Sequence, residues 1–552
     1  MACQSWGRID FGALRRPSLL TLRRIGRLLP LLFALPFGFG LVEAGQNAVP
    51  IQPSEPGIVT GPSLKDAEHL YRTGRLDEAI GEYTQLETGT QAALAYAGLT
   101  RVYLQKKDPA HAYAAAAKAM ELEPDSADAK TAQGEAYFRQ GKIGEAEAMF
   151  VSVINSGANN PRAYWGLART SGAISYYARE KRLIDKAHAL DPADPDITRD
   201  WIATLPMAEQ TKELKNYLAQ TTNDDADTRK QQKQALDLME HHPPQPCKMT
   251  GSVESSETDL RMMLQSSNEL TGYGLDVKVN GVMSHLLLDT GADGILITKR
   301  AADKAGVKKL IDIDLPGIGD KSPSRGYIGH ADKVQIGMME FRDCEVFVFA
   351  SGSFSGEGLI GPAIFSDFLV DIDMPQRKFR LSQLPARPGE KPSTPSLGQD
   401  PDREPIFYDR YVAPEMKSYT PVYRFDHMLL IPTLLNGAVT KLFLIDSGAF
   451  DSTLTPEAAG EVTHVSSNPD VEITGFSGAV KKVYRGDELT LTFGGLRQSN
   501  QDINAFDNKS MSDGAGTEIS GIIGFPLLLV LDMKIDYRDG LVSFRYDAKR
   551  FP

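Results

Sequence analysis

The chain has 552 residues and a formal net charge of -12, with 41% hydrophobic and 24% charged residues. This length is too great for one hydrophobic core and predicts roughly three or four domains. The negative balance excludes a general nucleic-acid binder, because such a protein needs a basic face. The cysteines Cys3, Cys247 and Cys344 show no spacing typical of a metal site or a disulfide framework, so pairing of the last two is left open.

The first 44 residues have the layout of a signal peptide. Five arginines between Arg15 and Arg27 precede an apolar run from Leu28 to Val42, which is too short to span a bilayer comfortably. We therefore expect an exported protein, periplasmic or secreted. An uncleaved membrane anchor is the alternative, and the chain contacts a membrane only in that case. Residues 45–62 are rich in proline and glycine and are predicted to be a linker.

A 34-residue period begins after this linker. Tyr103 recurs as Tyr137 and Ala112 recurs as Ala146, while Gly134 occupies the position where two helices pack closely. Small residues let paired helices approach, and each pair buries its apolar face only against its neighbours, so that copies stack. The pattern resembles the tetratricopeptide repeat family, with about four copies between residues 64 and 198.

This resemblance implies an all-α solenoid over residues 63–205. Such arrays usually bind a peptide or another protein in their concave groove, and a docking surface for the chain's own remaining part is the alternative. Residues 206–262 are predicted to be a helical and polar linker, in which the proline-rich stretch 241–246 ends any helix.

The remainder of the chain predicts β structure in two copies, residues 263–385 (lobe 1) and residues 405–552 (lobe 2), joined by a proline-rich linker at 386–404. The hairpin signals Asn280-Gly281 and Asn436-Gly437 each lead to an apolar strand that ends in an acid. The acid tripeptides are Asp289-Thr290-Gly291 and Asp446-Ser447-Gly448. Each half later contains a matching segment, Gly358-Leu359-Ile360-Gly361 and Gly521-Ile522-Ile523-Gly524.

The duplicated pattern resembles the aspartic proteases of the retropepsin and pepsin superfamily, as two tandem units. The resemblance implies that Asp289 and Asp446 are the catalytic acids and that the hydroxyls of Thr290 and Ser447 bond across to the partner loop. It implies further that the later Gly-Leu/Ile-Ile-Gly segments brace the acids. Gly291 and Gly448 are the supporting glycines, which allow close approach of the loops. The candidate flap glycines are Gly317, Gly319, Gly475 and Gly478.

The predicted function is therefore an exported aspartic-type endopeptidase that cleaves a peptide or protein substrate. It needs no cofactor and no metal, because one ionised and one protonated carboxyl supply the base and the acid. The alternative is a non-catalytic scaffold whose degenerate lobes only grip a peptide. Pairing of the lobes within one chain is favoured over pairing between chains, because one chain supplies both halves. Asp293 and Asp451, just after the loops, either shift the pKa of the pair or face solvent.

Overall fold

The computed structural model describes most of the chain from residue 61 onwards. The predicted signal segment and most of the first linker lie outside the described residues, as does much of the proline-rich tract before lobe 2. Among the helices that are described, none has the length and apolar character that crossing a bilayer requires. The described residues are 61–221, 224, 226–243, 247–251, 253–266, 269–315, 324–349, 356–390, 393–398, 407–471, 473–475, 478–480 and 482–549.

The first described region is entirely helical, as the repeat period predicts, and continues beyond residue 205. Side-chain oxygens of Ser63, Ser126 and Asn160 cap three of these helices by accepting backbone N–H groups. The helices are α1 (Leu64–Arg72), α2 (Leu76–Thr84), α3 (Ala92–Gln105), α4 (Pro109–Leu122), α5 (Ala127–Arg139), α6 (Ile143–Asn155), α7 (Pro161–Ala173), α8 (Tyr177–Leu190), α9 (Pro195–Ala203), α10 (Met207–Gln220) and α11 (Ala226–His241).

Close packing between helix pairs depends on the predicted small residues. A Cβ added at Gly134 would lie 2.6 Å from the Phe150 ring, and one added at Gly166 would lie 2.3 Å from it. The fully buried Phe150 therefore packs directly on the backbones of α5 and α7. The predicted close-packing role of Gly134 is confirmed.

Lobe 1 begins earlier than the sequence suggests, because β1 and β2 in the predicted linker pair with strands of the β region. The asparagine-glycine turn between β4 and β5 is confirmed, with positive φ at both residues. The elements are β1 (Cys247–Thr250), β2 (Ser255–Asp259), β3 (Arg261–Ser266), β4 (Glu269–Val279), β5 (Val282–Leu288), β6 (Ile295–Thr298), α12 (Lys299–Lys304), β7 (Lys308–Leu315), β8 (Ser324–Ile336), β9 (Met339–Phe349), β10 (Gly358–Ile360), β11 (Phe368–Asp373), β12 (Lys378–Gln383) and β13 (Ser396–Leu397), with a 3-10 turn at Pro362–Phe365.

Lobe 2 is built in the same way and includes the second asparagine-glycine hairpin. Short helices interrupt the strands, so both lobes are β-rich and not purely β. The elements are β14 (Thr420–Pro421), β15 (Tyr423–Phe425), β16 (Met428–Leu435), β17 (Val439–Ile445), β18 (Thr453–Leu454), α13 (Pro456–Gly460), β19 (Val465–Ser467), β20 (Thr474–Gly475), β21 (Gly478–Ala479), β22 (Tyr484–Gly486), β23 (Leu489–Phe493), β24 (Leu496–Asn500), β25 (Ile503–Ala505), α14 (Lys509–Ala515), β26 (Gly521–Ile523), α15 (Phe525–Leu528), β27 (Leu531–Asp536) and β28 (Leu541–Tyr546), with a 3-10 turn at Pro414–Met416.

The strand that leads to each acid has equivalent neighbours in the two lobes. In lobe 1, β5 lies between β10, which is parallel to it, and β4, which is antiparallel. In lobe 2, β17 lies between the parallel β26 and the antiparallel β16. The sheet orders are β13-β1-β9-β6-β10-β5-β4-β8-β7 and β19-β22-β25-β18-β26-β17-β16-β23-β24.

A third sheet joins the two lobes within the chain. Its order is β14-β28-β27-β11-β12-β2, so β11 of lobe 1 pairs directly with β27 of lobe 2. Residues from both lobes share one hydrophobic core, which includes the fully buried Phe368 and Leu531. Lobe 1 also contains a disulfide between Cys247 and Cys344, which resolves the pairing that the sequence left open.

The helical array packs against lobe 2. Phe138, Phe150 and Leu167 of the array form one buried cluster with Leu442 and Ile522 of lobe 2. Polar contacts surround this cluster: the backbone N–H of Glu518 donates to the carbonyl of Arg139 (2.8 Å), and Arg139 forms an ion pair with Asp513 (2.6 Å). A docking surface for the chain's own β region is therefore present in the array.

Candidate active site

The two acid loops meet at the interface between the lobes. Asp289 follows β5 and Asp446 follows β17, and each carboxyl group lies against the glycine of the opposite loop, close enough for the two charges to interact. Asp446 is 6% exposed, while Asp289 is partly buried. Residues that are 157 positions apart in the chain (446 − 289) thus form one acidic pair.

The neighbouring hydroxyls connect the loops reciprocally. Thr290 Oγ1 donates to the carbonyl of Ile445 (2.7 Å), and Ser447 Oγ donates to the carbonyl of Leu288 (2.8 Å). Each hydroxyl also accepts the backbone N–H of its counterpart, at 2.9 Å for Thr290 Oγ1 and 3.1 Å for Ser447 Oγ. Four buried hydrogen bonds therefore fix the relative position of the two acids.

Glycine is required after each hydroxyl residue because the opposite carboxyl group lies against it. A Cβ at Gly448 would lie 2.4 Å from Asp289 Cγ, and one at Gly291 would lie 2.8 Å from Asp446 Cγ. The same glycines donate their backbone N–H groups to the acid of their own loop, both at 2.9 Å. The two glycines therefore admit and orient the carboxyl groups.

The later Gly-Leu/Ile-Ile-Gly segments lie directly beside the acids. The backbone N–H of Asp289 donates to the carbonyl of Ile360, and that of Asp446 donates to the carbonyl of Ile523, both at 3.0 Å. Because β10 and β26 are buried and parallel to the acid strands, they support the backbone of each acid.

The environment of the pair favours one retained proton. Burial raises the pKa of Asp289 well above its ordinary value, and the charge and hydrogen bond of Asp446 raise it further. Burial also raises the pKa of Asp446, while the hydrogen bond from Asp289 and the N–H groups of Gly448 and Ala449 lower it. The pair therefore holds one proton between its two carboxyl groups at acidic pH.

The residues around the pair differ between the lobes at the position four residues after each acid. Counted from the acids, Asp293 of lobe 1 corresponds to Phe450 of lobe 2, which is 51% exposed. Asp293, Asp426 and His427 place one polar atom each within 4.8 Å of one another. Asp293 and Asp426 are exposed, and His427 forms an ion pair with Asp426 in this cluster, which brings together residues of lobes 1 and 2.

The candidate flap residues are only partly described. Gly475 and Gly478 pair with each other in the small β20–β21 hairpin. Gly317 and Gly319 lie outside the described residues, in the connection between the paired strands β7 and β8. The assignment of both hairpins as flaps stays a prediction.

A second polar site lies in the concave groove of the array. A cavity of about 230 Å³ there is lined mainly by charged side chains from α1 to the turn after α8. Polar contacts cross this groove: Arg72 forms an ion pair with Asp191 at 2.6 Å, and the hydroxyl of Tyr71 donates to Asp196 at 2.5 Å. Side chains of α1 are thus joined to the turn after α8 and to the start of α9 across the cavity.

Comparison with known proteins supports both resemblances. The family described as "gag-polyprotein putative aspartyl protease" matches residues 275–367, and a tetratricopeptide repeat family matches residues 103–170. No curated protein sequence matches the chain. One similar solved structure is a thermophilic TPR protein in Thermus thermophilus, with 19% identity and a TM-score of 0.26 over 32% of this chain and 97% of that chain.

The predicted resemblance to acid proteases and to tetratricopeptide repeats is confirmed over these segments. A protease-like segment implies a peptide substrate, and tetratricopeptide repeats imply protein interactions. The family match covers most of lobe 1 and includes Asp289, while Asp446 of lobe 2 lies beyond it.

Proposed function

We propose that the chain is an aspartic-type endopeptidase in which Asp289 and Asp446 activate one water molecule for attack on a peptide bond. The reciprocal hydrogen bonding of the two acid loops carries this proposal, because it presents both carboxyl groups at one point. Like charges this close do not both ionise at low cost, so the pair keeps one proton, as in aspartic proteases generally.

The chemistry requires only this pair and a water molecule. The ionised carboxyl of the pair takes a proton from the water as its oxygen attacks the carbonyl carbon, and the protonated carboxyl gives its proton to the carbonyl oxygen. When the carbon–nitrogen bond breaks, the proton taken from the water passes to the leaving nitrogen, and the other carboxyl recovers a proton from the diol. Both acids then have their starting protonation state, with no covalent intermediate.

We further propose that the lobes are two tandem retropepsin-like units that share one site within a chain. The equivalent strand neighbours of β5 and β17 and the direct pairing of β11 with β27 support this proposal. We propose that the repeats recruit the protein substrate or a partner. The repeats pack against lobe 2, so a protein bound to them would lie beside that lobe.

Export to the periplasm or the medium is proposed as well. The basic and apolar N-terminal segment supports it, and so does the disulfide Cys247–Cys344, because disulfides persist mainly in oxidising compartments. Expression with the native N-terminal segment, followed by sequencing of the exported product's first residues, tests it; product retained uncleaved in the cytoplasm would contradict it.

The endopeptidase proposal is tested on the purified chain with a peptide library between about pH 3 and pH 7, where carboxyl pairs titrate. We expect cleavage that Asp289→Asn and Asp446→Asn each reduce by roughly 10²-fold or more, while the exposed-residue control Asp303→Asn does not. Full activity in both single variants would refute the proposal. Peptide binding without turnover in the wild type would favour the non-catalytic scaffold.

A further inference from the structure

The turn between β15 and β16 carries a side chain of lobe 2 into contact with the acid loop of lobe 1. This turn consists of Asp426, which has a φ of +55°, and His427. The His427 side chain is 21% exposed, and its Nδ1 lies 3.5 Å from Asp426 Oδ2. A polar atom of the ring also lies within 4.8 Å of a carboxylate oxygen of Asp293, four residues after Asp289 in the acid loop.

The helical array packs against the residue that precedes this turn. The ring of Phe425, the residue before the turn, meets the ring of Phe138 in α5 edge-on, with centroids 6.0 Å apart. The Arg169 guanidinium covers Phe138 at 4.1 Å. Inside lobe 2, Arg424 donates to the carbonyls of Asp426 (2.8 Å) and Tyr537 (2.5 Å). The turn is therefore fixed by both the array and lobe 2.

We propose that His427, held in place by the repeat array through Phe425 and Phe138, is a positioning residue for the acid pair. Its ring links the turn of lobe 2 to Asp293 in the acid loop of lobe 1 and places a positive charge near the acid pair. The proposal rests on the endopeptidase function proposed above, and it gives the array a part in supporting the site.

The charges around the ring agree with this role. The charged groups that interact with His427 are Asp426 in its own turn, Asp293 in lobe 1 and Asp446 in lobe 2, and Arg424 on β15 interacts with Asp426. Burial lowers the pKa of His427, but the hydrogen bond with Asp426 and the charge of Asp293 outweigh burial, so the pKa is raised overall. The ring is therefore a cation at acidic pH and helps to lower the pKa of Asp446.

The first experiment measures kcat/KM against pH for the wild type, His427→Gln and His427→Arg. Loss of the positive charge raises the pKa of Asp446, so the acid limb of the profile for His427→Gln should move to higher pH by roughly half a unit to one unit. His427→Arg keeps a cation and should retain the wild-type limb. An unchanged limb in His427→Gln would overturn the proposal, as would an equal shift in both variants.

The second experiment tests the array. Phe138→Leu removes the ring that holds Phe425 and should move the acid limb in the same direction by a smaller amount. Tyr83→Leu is the control, because Tyr83 packs on Gly98 in a buried cluster that consists only of array residues. It should lower Tm and leave the profile in place. A Phe138→Leu profile identical to the control's would remove the array from the proposal.

A readout without turnover separates this inference from the endopeptidase proposal. We measure the decrease in Tm that His427→Gln causes at each pH from about 3 to 6. The decrease is measured once in the otherwise wild-type chain and once in a chain that also carries Asp446→Asn. Because the Asp446 charge develops in this range, the loss should grow with pH, and it should grow less in the Asp446→Asn background. Equal growth in both backgrounds would overturn the inference. An inactive wild type that shows the expected difference would refute only the endopeptidase proposal.

Discussion

In both lobes the hydroxyl of the acid loop makes the same hydrogen bonds to the opposite loop, but the position four residues after the acid is Asp293 in lobe 1 and Phe450 in lobe 2. Lobe 1 is closed by a disulfide, whereas lobe 2 contains no cysteine and is covered by the helical array. The parts that position the carboxyl groups are thus repeated, while the parts that stabilise each lobe are different. Equivalent substitutions in the two lobes should therefore have equal effects at the acid loops and unequal effects further away.

The largest expected difference between the lobes concerns the disulfide. The double variant Cys247→Ala/Cys344→Ala opens a link across 97 residues and should destabilise lobe 1 by roughly 3–5 kcal/mol. Denaturant unfolding followed by amide hydrogen exchange should show strands of lobe 1 opening before those of lobe 2. Reductant should have the same effect on the wild type and none on the variant. Simultaneous opening of both lobes would contradict the expected difference in stability between them.

Equal effects are expected from the hydroxyls that link the loops. Thr290→Val leaves the buried carbonyl of Ile445 and the N–H of Ser447 without their partners, at a cost of roughly 2–4 kcal/mol of unfolding free energy. Ser447→Ala should cost a similar amount and should reduce kcat, because both acids lose their alignment. Thr290→Ser keeps the hydroxyl and serves as the control. A large cost in one lobe only would show that the hydrogen bonds are not equivalent.

The sheet between the lobes should make the protein more stable at acidic pH. Burial and the charge of Asp539 raise the pKa of Asp536 to about 7, and burial and the charge of Asp532 raise that of Asp371 to about 6. A carboxyl whose pKa is raised by folding binds its proton more tightly in the folded state. Its contribution to the free energy of unfolding is therefore fully present below the pKa that the carboxyl has in the unfolded state. This contribution is lost as the pH rises through 6 and 7.

Asp536→Asn tests this pH dependence, since the amide keeps an oxygen that accepts the backbone N–H of Asp539. The wild type should lose stability between about pH 5 and pH 8, and the variant should recover roughly 1–3 kcal/mol of that loss at the upper end. Chemical unfolding at each pH measures it. Asp303→Asn, at an exposed position of α12, is the control. A wild-type stability that rises over this range would contradict the expected sign.

The smallest effects are expected at the two asparagine-glycine turns. Gly281 has a φ of +82° and Gly437 a φ of +70°, and an added Cβ at either would meet nothing within 4 Å. Alanine should therefore cost only the backbone strain, about 1 kcal/mol in each lobe. Thermal unfolding of the two variants measures this cost. Unequal losses would mean that one hairpin has contacts beyond its turn.

Much of the fold and the core of the site could be predicted from the sequence. The acid tripeptides, the asparagine-glycine turns and the glycines of the repeats are local patterns, and each has one dominant physical role. The strands β1 and β2 were not anticipated, because their partners β9 and β12 lie far along the chain. His427 was not anticipated either, since its role depends on a contact between lobes and no motif surrounds it.

The comparison of the lobes depends on Asp289 and Asp446 of the same chain forming one site. Mixing the inactive Asp289→Asn chain with the inactive Asp446→Asn chain, after joint unfolding and refolding, tests this directly. A site within one chain predicts no cleavage at any mixing ratio, because every chain carries one defective acid. Cleavage that reaches its maximum near an equal mixture would contradict the account, because an intact pair would then have formed between two chains.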